Sequence, residues 1–204
     1  MKSALIPSVY PRTKVLKIGI LGGSFNPPHV GHREISLAAL KALCLHQVWW
    51  CITPQNPLKQ ASETQPLTKR LHQALKISAH PKIKVTTLEQ QFNIQYTFDT
   101  IHLLQQRFAN THFILLMGAD NLRQMSRWYR WQDICRTIPI AVFARPGYSL
   151  TALHSKAAQF LRPHRLTSVQ AKIWWKYRAP TWFFLHGVHN PISSTKLRHF
   201  PVKS

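Results

Sequence analysis

What most constrains this chain is a junction near its start, Gly19-Ile20-Leu21-Gly22-Gly23-Ser24-Phe25-Asn26-Pro27-Pro28-His29-Val30-Gly31-His32. An apolar strand pattern runs there through a glycine-rich turn into a helix start that carries two histidines. Four of the seven glycines, Gly19, Gly22, Gly23 and Gly31, lie in it, where backbone must approach a ligand closely or adopt conformations that a side chain forbids. The run from Val15 to Leu21 predicts a buried strand, and the amphipathic spacing that follows predicts a helix from His32 to Leu45. Unpaired amides and the dipole at a helix N-terminus favour phosphate. His29 and His32, three apart, share one face of a first turn, so both can point at a single phosphate. An imidazole beside phosphate tends to hold its proton and to donate a charged hydrogen bond that strengthens as charge develops in a transition state. The plain alternative is a tight turn with two surface histidines. An HxxH pair is common by itself, and the glycine-rich strand exit is what distinguishes this one.

The segment resembles the GxFxPxHxGH signature of the nucleotidylyltransferase superfamily, a Rossmann-like group that acts at the α-phosphate of ATP or CTP and releases pyrophosphate. The resemblance implies an ATP site at Gly22, Gly23, Ser24, Phe25 and Gly31, with His29 and His32 catalytic. The superfamily's second signature matches Ile192-Ser193-Ser194-Thr195-Lys196-Leu197-Arg198, and the resemblance implies that Ser194, Thr195 and Arg198 complete the ATP site, with Arg198 catalytic as well. Ser194 and Thr195 can cap a short helix there, while Arg198, one turn on, presents a planar fork to the β- and γ-phosphates. Alone, that motif reads equally as an ordinary helix cap.

The middle of the chain narrows the resemblance. Tyr96-Thr97-Phe98-Asp99-Thr100, Gly118-Ala119-Asp120-Asn121, Trp128, Trp131 and Arg145-Pro146-Gly147-Tyr148 follow in the order typical of bacterial nicotinate-nucleotide adenylyltransferases. The likeness covers roughly residues 16–200. It implies that Tyr96 and Thr97 meet the nicotinate carboxylate, that Trp128 stacks on the pyridine ring and that Asp120 holds ribose hydroxyls. Read locally, Asp120 serves equally as a helix N-cap. Asn56, Lys59 and Arg145 complete the implied nicotinate mononucleotide site, although Lys59 also reads as a solvated lysine on an exposed loop. Where the family often has glycine and serine before the tyrosine, this chain has Asn93-Ile94-Gln95. Asparagine tolerates the left-handed backbone such a turn requires.

The coarse order is strand 15–21, helix 32–45, strand 48–53, helix 67–79, strand 82–88, helix 97–109, strand 112–117, helix 121–136 and strand 139–144, with a last strand from Thr181 to His186. Such alternation predicts an α/β fold, a Rossmann-like doubly wound parallel sheet flanked by helices in one domain, with ligands outside the strand C-termini. Residues 1–14 read as an N-terminal extension and 15–204 as the nucleotidylyltransferase domain. In the 67–79 helix, Arg70, His72 and Lys76 read as surface charges. Cys44, Cys51 and Cys135 show no CxxC pair and read as reduced core thiols.

The chain carries 27 basic against 6 acidic residues, a formal charge of +21 at pH 7. So few carboxylates argue against a two-metal acidic site. No metal-binding residues are therefore expected, and the Mg²⁺ would be carried by ATP phosphates. The positive field steers anionic substrates, but far fewer charges would suffice. The excess reflects either proteome-wide composition or nonspecific nucleic-acid contact, with Arg162 to Arg178 and their tryptophans the candidate patch. No membrane span or secretory signal is apparent, so a cytoplasmic enzyme is expected. The expected reaction joins ATP and nicotinate mononucleotide to give nicotinate adenine dinucleotide and pyrophosphate. The alternatives are a relative with a pantetheine-phosphate or nicotinamide mononucleotide acceptor, or a basic nucleic-acid-binding protein on the same fold.

Overall fold

The computed structural model describes residues 15–56, 58, 64–144 and 149–186. The expected N-terminal extension lies outside them. Among the described residues seven strands form one sheet: β1 (Leu16–Gly23), β2 (Gln47–Ile52), β3 (Ile83–Thr86), β4 (Thr111–Gly118), β5 (Ile140–Phe143), β6 (Arg165–Leu166) and β7 (Trp182–Leu185). Their spatial order is β3-β2-β1-β4-β5-β7-β6, and every pairing is parallel. The connecting helices are α1 (Val30–Ala42), α2 (Leu67–Ile77), α3 (Leu88–Gln91), α4 (Thr97–Arg107), α5 (Ala119–Gln124), α6 (Trp131–Thr137), α7 (Ser149–Leu153) and α8 (Lys156–Leu161).

A parallel sheet covered on both faces demands apolar side chains at nearly every strand position, and alternation sends neighbours to opposite faces. Trp49, Phe113, Leu115, Met117, Trp182 and Phe184 join α4, α5, α6 and α8 on one side. Trp50, Ile114, Leu116, Phe143 and Phe183 join α1, α2 and Trp174 on the other. The sheet grows outward from β1 to β3 and then restarts at β4 on the far side of β1. Order therefore reverses between β1 and β4, which opens a crevice beyond Gly23 and Gly118.

Several details differ from the sequence reading. The first helix begins at Val30, two residues early, and His29 is its extended N-cap. The Asn26-Pro27-Pro28 stretch holds the chain extended up to His29, and helical geometry starts at the next residue. The expected helix 121–136 is split into α5, a 3₁₀ turn at Met125–Arg127, and α6. Neither glycine nor proline marks that break. Arg130 enters left-handed backbone at φ 51°, its Nε donates to Asp133 at 2.7 Å and its guanidinium covers Phe98. The local reading of Asp120 as a helix N-cap is also overturned, because α5 is capped by Gly118 and Asp120 lies in its first turn. Arg70, read as a surface charge, is 1% exposed, while Cys44, read as a core thiol, is exposed. Asn93 does take the left-handed turn, at φ 50°.

Candidate active site

At the end of β1 the chain turns through Phe25, held at φ 46°, and enters α1 after the His29 N-cap. The His29 N–H donates to Nδ1 of His32 at 3.2 Å, and the two rings lie 3.8 Å apart. An Nδ1 that accepts a hydrogen bond carries no proton, so the ring proton of His32 sits on Nε2 as a donor. The His32 ring also packs on Phe25 at 4.6 Å, and Phe25 stacks on Trp50 at 5.0 Å. From behind, Trp50 Nε1 donates to Ser36 Oγ at 2.7 Å, and that hydroxyl donates to the His32 carbonyl at 2.8 Å. The imidazole is thus held by packing on one side and a buried relay on the other.

These residues form one wall of a cavity of about 580 Å³ at the β1/β4 switch, a size typical of small-molecule sites. Gly22, Gly23, Ser24, Phe25, His29 and His32 line it. A Cβ placed on Gly22 would meet nothing within 4 Å, so the backbone there faces open space that a ligand can enter. Gly19 differs: its Cβ would lie 2.6 Å from Leu116 Cδ1 and 2.8 Å from Leu45 Cδ1. That glycine serves core packing, not ligand approach. Gly31 is buried inside α1 and does not line the cavity.

The opposite wall comes from α4, α5 and the 3₁₀ turn. Tyr96 is the extended N-cap of α4 and Thr97 its first residue, where amides lack intrahelical acceptors. Both line the cavity, as do Asn56, Asp120 and Trp128. Asn56 spends its side-chain oxygen on the Leu58 N–H at 2.8 Å, which leaves its NH₂ as the group able to meet a ligand. The helix break at 125–130 is what turns Trp128 toward the cavity. Lys59, Arg145, Ser194, Thr195 and Arg198 lie outside the described residues.

Three contributors escaped sequence reasoning. Glu89, 4% exposed, lines the cavity and accepts from Thr100 Oγ1 at 2.9 Å. Burial raises its carboxyl above the ordinary range, opposed by hydrogen bonds from Thr100 and Thr53. Tyr129 pairs with Tyr96 at 4.5 Å between ring centroids, and Arg127 supplies a cation at the rim. Glu89 follows the end of β3, and Arg127 and Tyr129 flank Trp128, so strand-end position and adjacency to a motif residue were the available signals.

The sequence model of the cytidylyltransferase-like family matches residues 20–200. A relative from Rhizobium johnstonii, described as a probable nicotinate-nucleotide adenylyltransferase, is 44% identical over 89% of this chain and 92% of its own length. One of the same description from Brucella abortus is 42% identical over 92% and 97%. Among solved structures, the Plasmodium falciparum nicotinic acid mononucleotide adenylyltransferase complexed with NaAD shares the fold. Its TM-score is 0.68 at 17% identity, over 91% of this chain and 83% of that one.

Proposed function

The chain belongs to the nicotinate-nucleotide adenylyltransferase family, and we propose that it carries out that family's reaction, in the cytoplasm, with the residues of the β1/β4 cavity. It transfers the adenylyl group of ATP to nicotinate mononucleotide, giving nicotinate adenine dinucleotide and pyrophosphate in NAD synthesis. The observation that supports the site assignment is one cavity with two chemically different walls. Glycine backbone, a helix N-terminus and two imidazoles suit a triphosphate; aromatic rings and the start of α4 suit a pyridine carboxylate.

The nucleophile is a phosphate oxygen of nicotinate mononucleotide, already anionic, so no general base is needed. It forms a bond to the α-phosphorus of ATP as the bond from that phosphorus to the β-phosphate bridging oxygen breaks, and pyrophosphate departs. Catalysis then consists of alignment and charge stabilisation. His32 Nε2–H, His29 and the first amides of α1 hold the phosphates, and Gly22, Gly23, Ser24 and Phe25 shape their loop. On the other wall the Tyr96 and Thr97 amides take the nicotinate carboxylate, Trp128 stacks on the ring, Asp120 accepts from ribose hydroxyls, and Asn56 donates its amide. Lys59, Arg145, Ser194, Thr195 and Arg198 are assigned by family resemblance, Arg198 to the β- and γ-phosphates. The phosphate side of the cavity offers glycine backbone and imidazoles, so Mg²⁺ would be held chiefly by the ATP phosphates. When bound it neutralises charge on the leaving pyrophosphate.

The test is pyrophosphate release from ATP and Mg²⁺ with nicotinate mononucleotide or nicotinamide mononucleotide. Preference for the acid is expected; preference for the amide would overturn the carboxylate contacts at Tyr96 and Thr97. In the same assay H32A should lose about 10²–10³-fold in turnover, the usual cost of one transition-state donor. Near-normal turnover would remove His32 from that role.

A further inference from the structure

Arg70 has no place in the chemistry above, yet it is among the most buried large side chains, at 1% exposure. It sits on α2, behind the cavity rather than in its lining. Its Nε donates to the Gln65 carbonyl at 2.8 Å. One terminal nitrogen donates to the Ser24 carbonyl at 2.6 Å and the Thr53 carbonyl at 2.8 Å. The other donates to the Pro54 carbonyl at 2.7 Å.

Those four acceptors come from three separate segments. Ser24 belongs to the loop after β1 that carries the phosphate-binding backbone. Thr53 and Pro54 begin the loop after β2, which leads to Asn56. Gln65 closes that loop before α2, and its own N–H donates to Asn26 Oδ1 at 3.3 Å. The Thr53 N–H, in turn, donates to the Gly23 carbonyl at 2.9 Å. One planar fork therefore fixes the loop that faces ATP against the loop that faces the acceptor nucleotide. Ser24 and Thr53 both line the cavity, so the tie lies one residue layer beneath the reacting groups.

We propose that Arg70 is a positioning residue for adenylyl transfer: by bridging the Ser24, Thr53, Pro54 and Gln65 carbonyls it sets the relative placement of the two substrate loops. This rests on the functional reading given above. Bringing the attacking oxygen into line with the α-phosphorus depends on that placement, whereas each nucleotide alone binds mainly to one wall. A lysine retains the charge but offers a single nitrogen in place of a rigid fork, so it cannot reach all four carbonyls.

The experiment compares R70K with the wild-type protein below both melting temperatures. Calorimetric titration with a non-hydrolysable ATP analogue and with nicotinate mononucleotide counts competent sites and gives each Kd. Turnover is then expressed per competent site. Expected for R70K is a fall in turnover of about 10²-fold with each Kd within about threefold, the pattern of misalignment. A merely structural arginine would lower the melting temperature and the number of competent sites but leave turnover per site unchanged, which would overturn the proposal. So would a loss of affinity large enough to account for the whole fall. Wild-type turnover is the control: its absence would sink the functional reading, independently of Arg70. Should R70K not fold, hydrogen exchange on the wild-type protein decides. Binding of the ATP analogue should slow exchange both in residues 22–26 and in residues 64–70, and slowing confined to the former would overturn the tie.

Discussion

Glu89 shows at residue scale how burial and site geometry interact. It lines the cavity, close enough to Thr100 and Thr53 to take their hydroxyl hydrogen bonds. Desolvation nevertheless dominates and raises its carboxyl above the ordinary glutamate range. A native state that holds this proton more tightly than the unfolded chain takes up a proton on folding. Stability therefore falls as pH climbs from the ordinary glutamate range to the raised native value, and is level beyond it. E89Q removes the titration, so the melting temperature of E89Q minus that of wild type should rise across that window. The size is about 2–4 °C for each kcal/mol of linkage. Thermal unfolding at pH 5 to 8 measures it, and a difference that does not change with pH would contradict the assignment. Little of this was readable beforehand. His29, His32 and the glycine turn announce themselves by type and spacing, whereas a lone glutamate after a strand acquires its character only from what buries it.

The strand–turn–helix unit that opens the fold depends on close packing as much as on phosphate geometry. Gly19 lies in the middle of β1, paired with Val48 and Ile114 on either side, and the Leu116 and Leu45 side chains occupy the space a Cβ would take. Both leucines are core residues, at 1% and 4% exposure. G19A should therefore destabilise by about 1–3 kcal/mol through overpacking, read as a lower melting temperature. An unchanged value would mean that the core yields at no cost. Element types were largely readable, because strands buried on both faces leave continuous apolar runs and α1, α2 and α4 keep helical spacing. Boundaries and breaks were not. The split between α5 and α6 arises where Met125, at 0% exposure, and the Arg130–Asp133 pair meet the rest of the molecule. No local signal in Met125 to Arg130 forecasts it.

Over the whole molecule the charge is lopsided, at +21. Asp133 takes ion pairs from both Arg130 and Arg136. The region from Arg162 to Arg178 keeps its basic side chains exposed, but its aromatics are spent elsewhere. Trp174 is 1% exposed and donates to the Leu43 carbonyl at 3.1 Å, while Trp175 lies under the Lys17 ammonium at 3.8 Å. A surface with cations but without stacking rings attracts nucleic acid by counterion release alone. Binding to a duplex oligonucleotide should thus fall steeply between about 50 and 200 mM salt. Retention of tight binding at the upper end would indicate a dedicated nucleic-acid site. No helix among the described residues is long and apolar enough to cross a membrane.

By itself the amino-acid sequence determined the chemistry that local order can encode: a glycine-rich strand exit, paired histidines on one helical face, and alternating elements that must form a parallel sheet. Only the tertiary structure decided which charges are buried, where the expected 121–136 helix breaks, and that Arg70 joins the loops after β1 and β2. Those outcomes depend on contacts between residues far apart in the chain. A side chain's type and spacing describe its own element, but desolvation and hydrogen-bond geometry are set by the neighbours that folding brings to it.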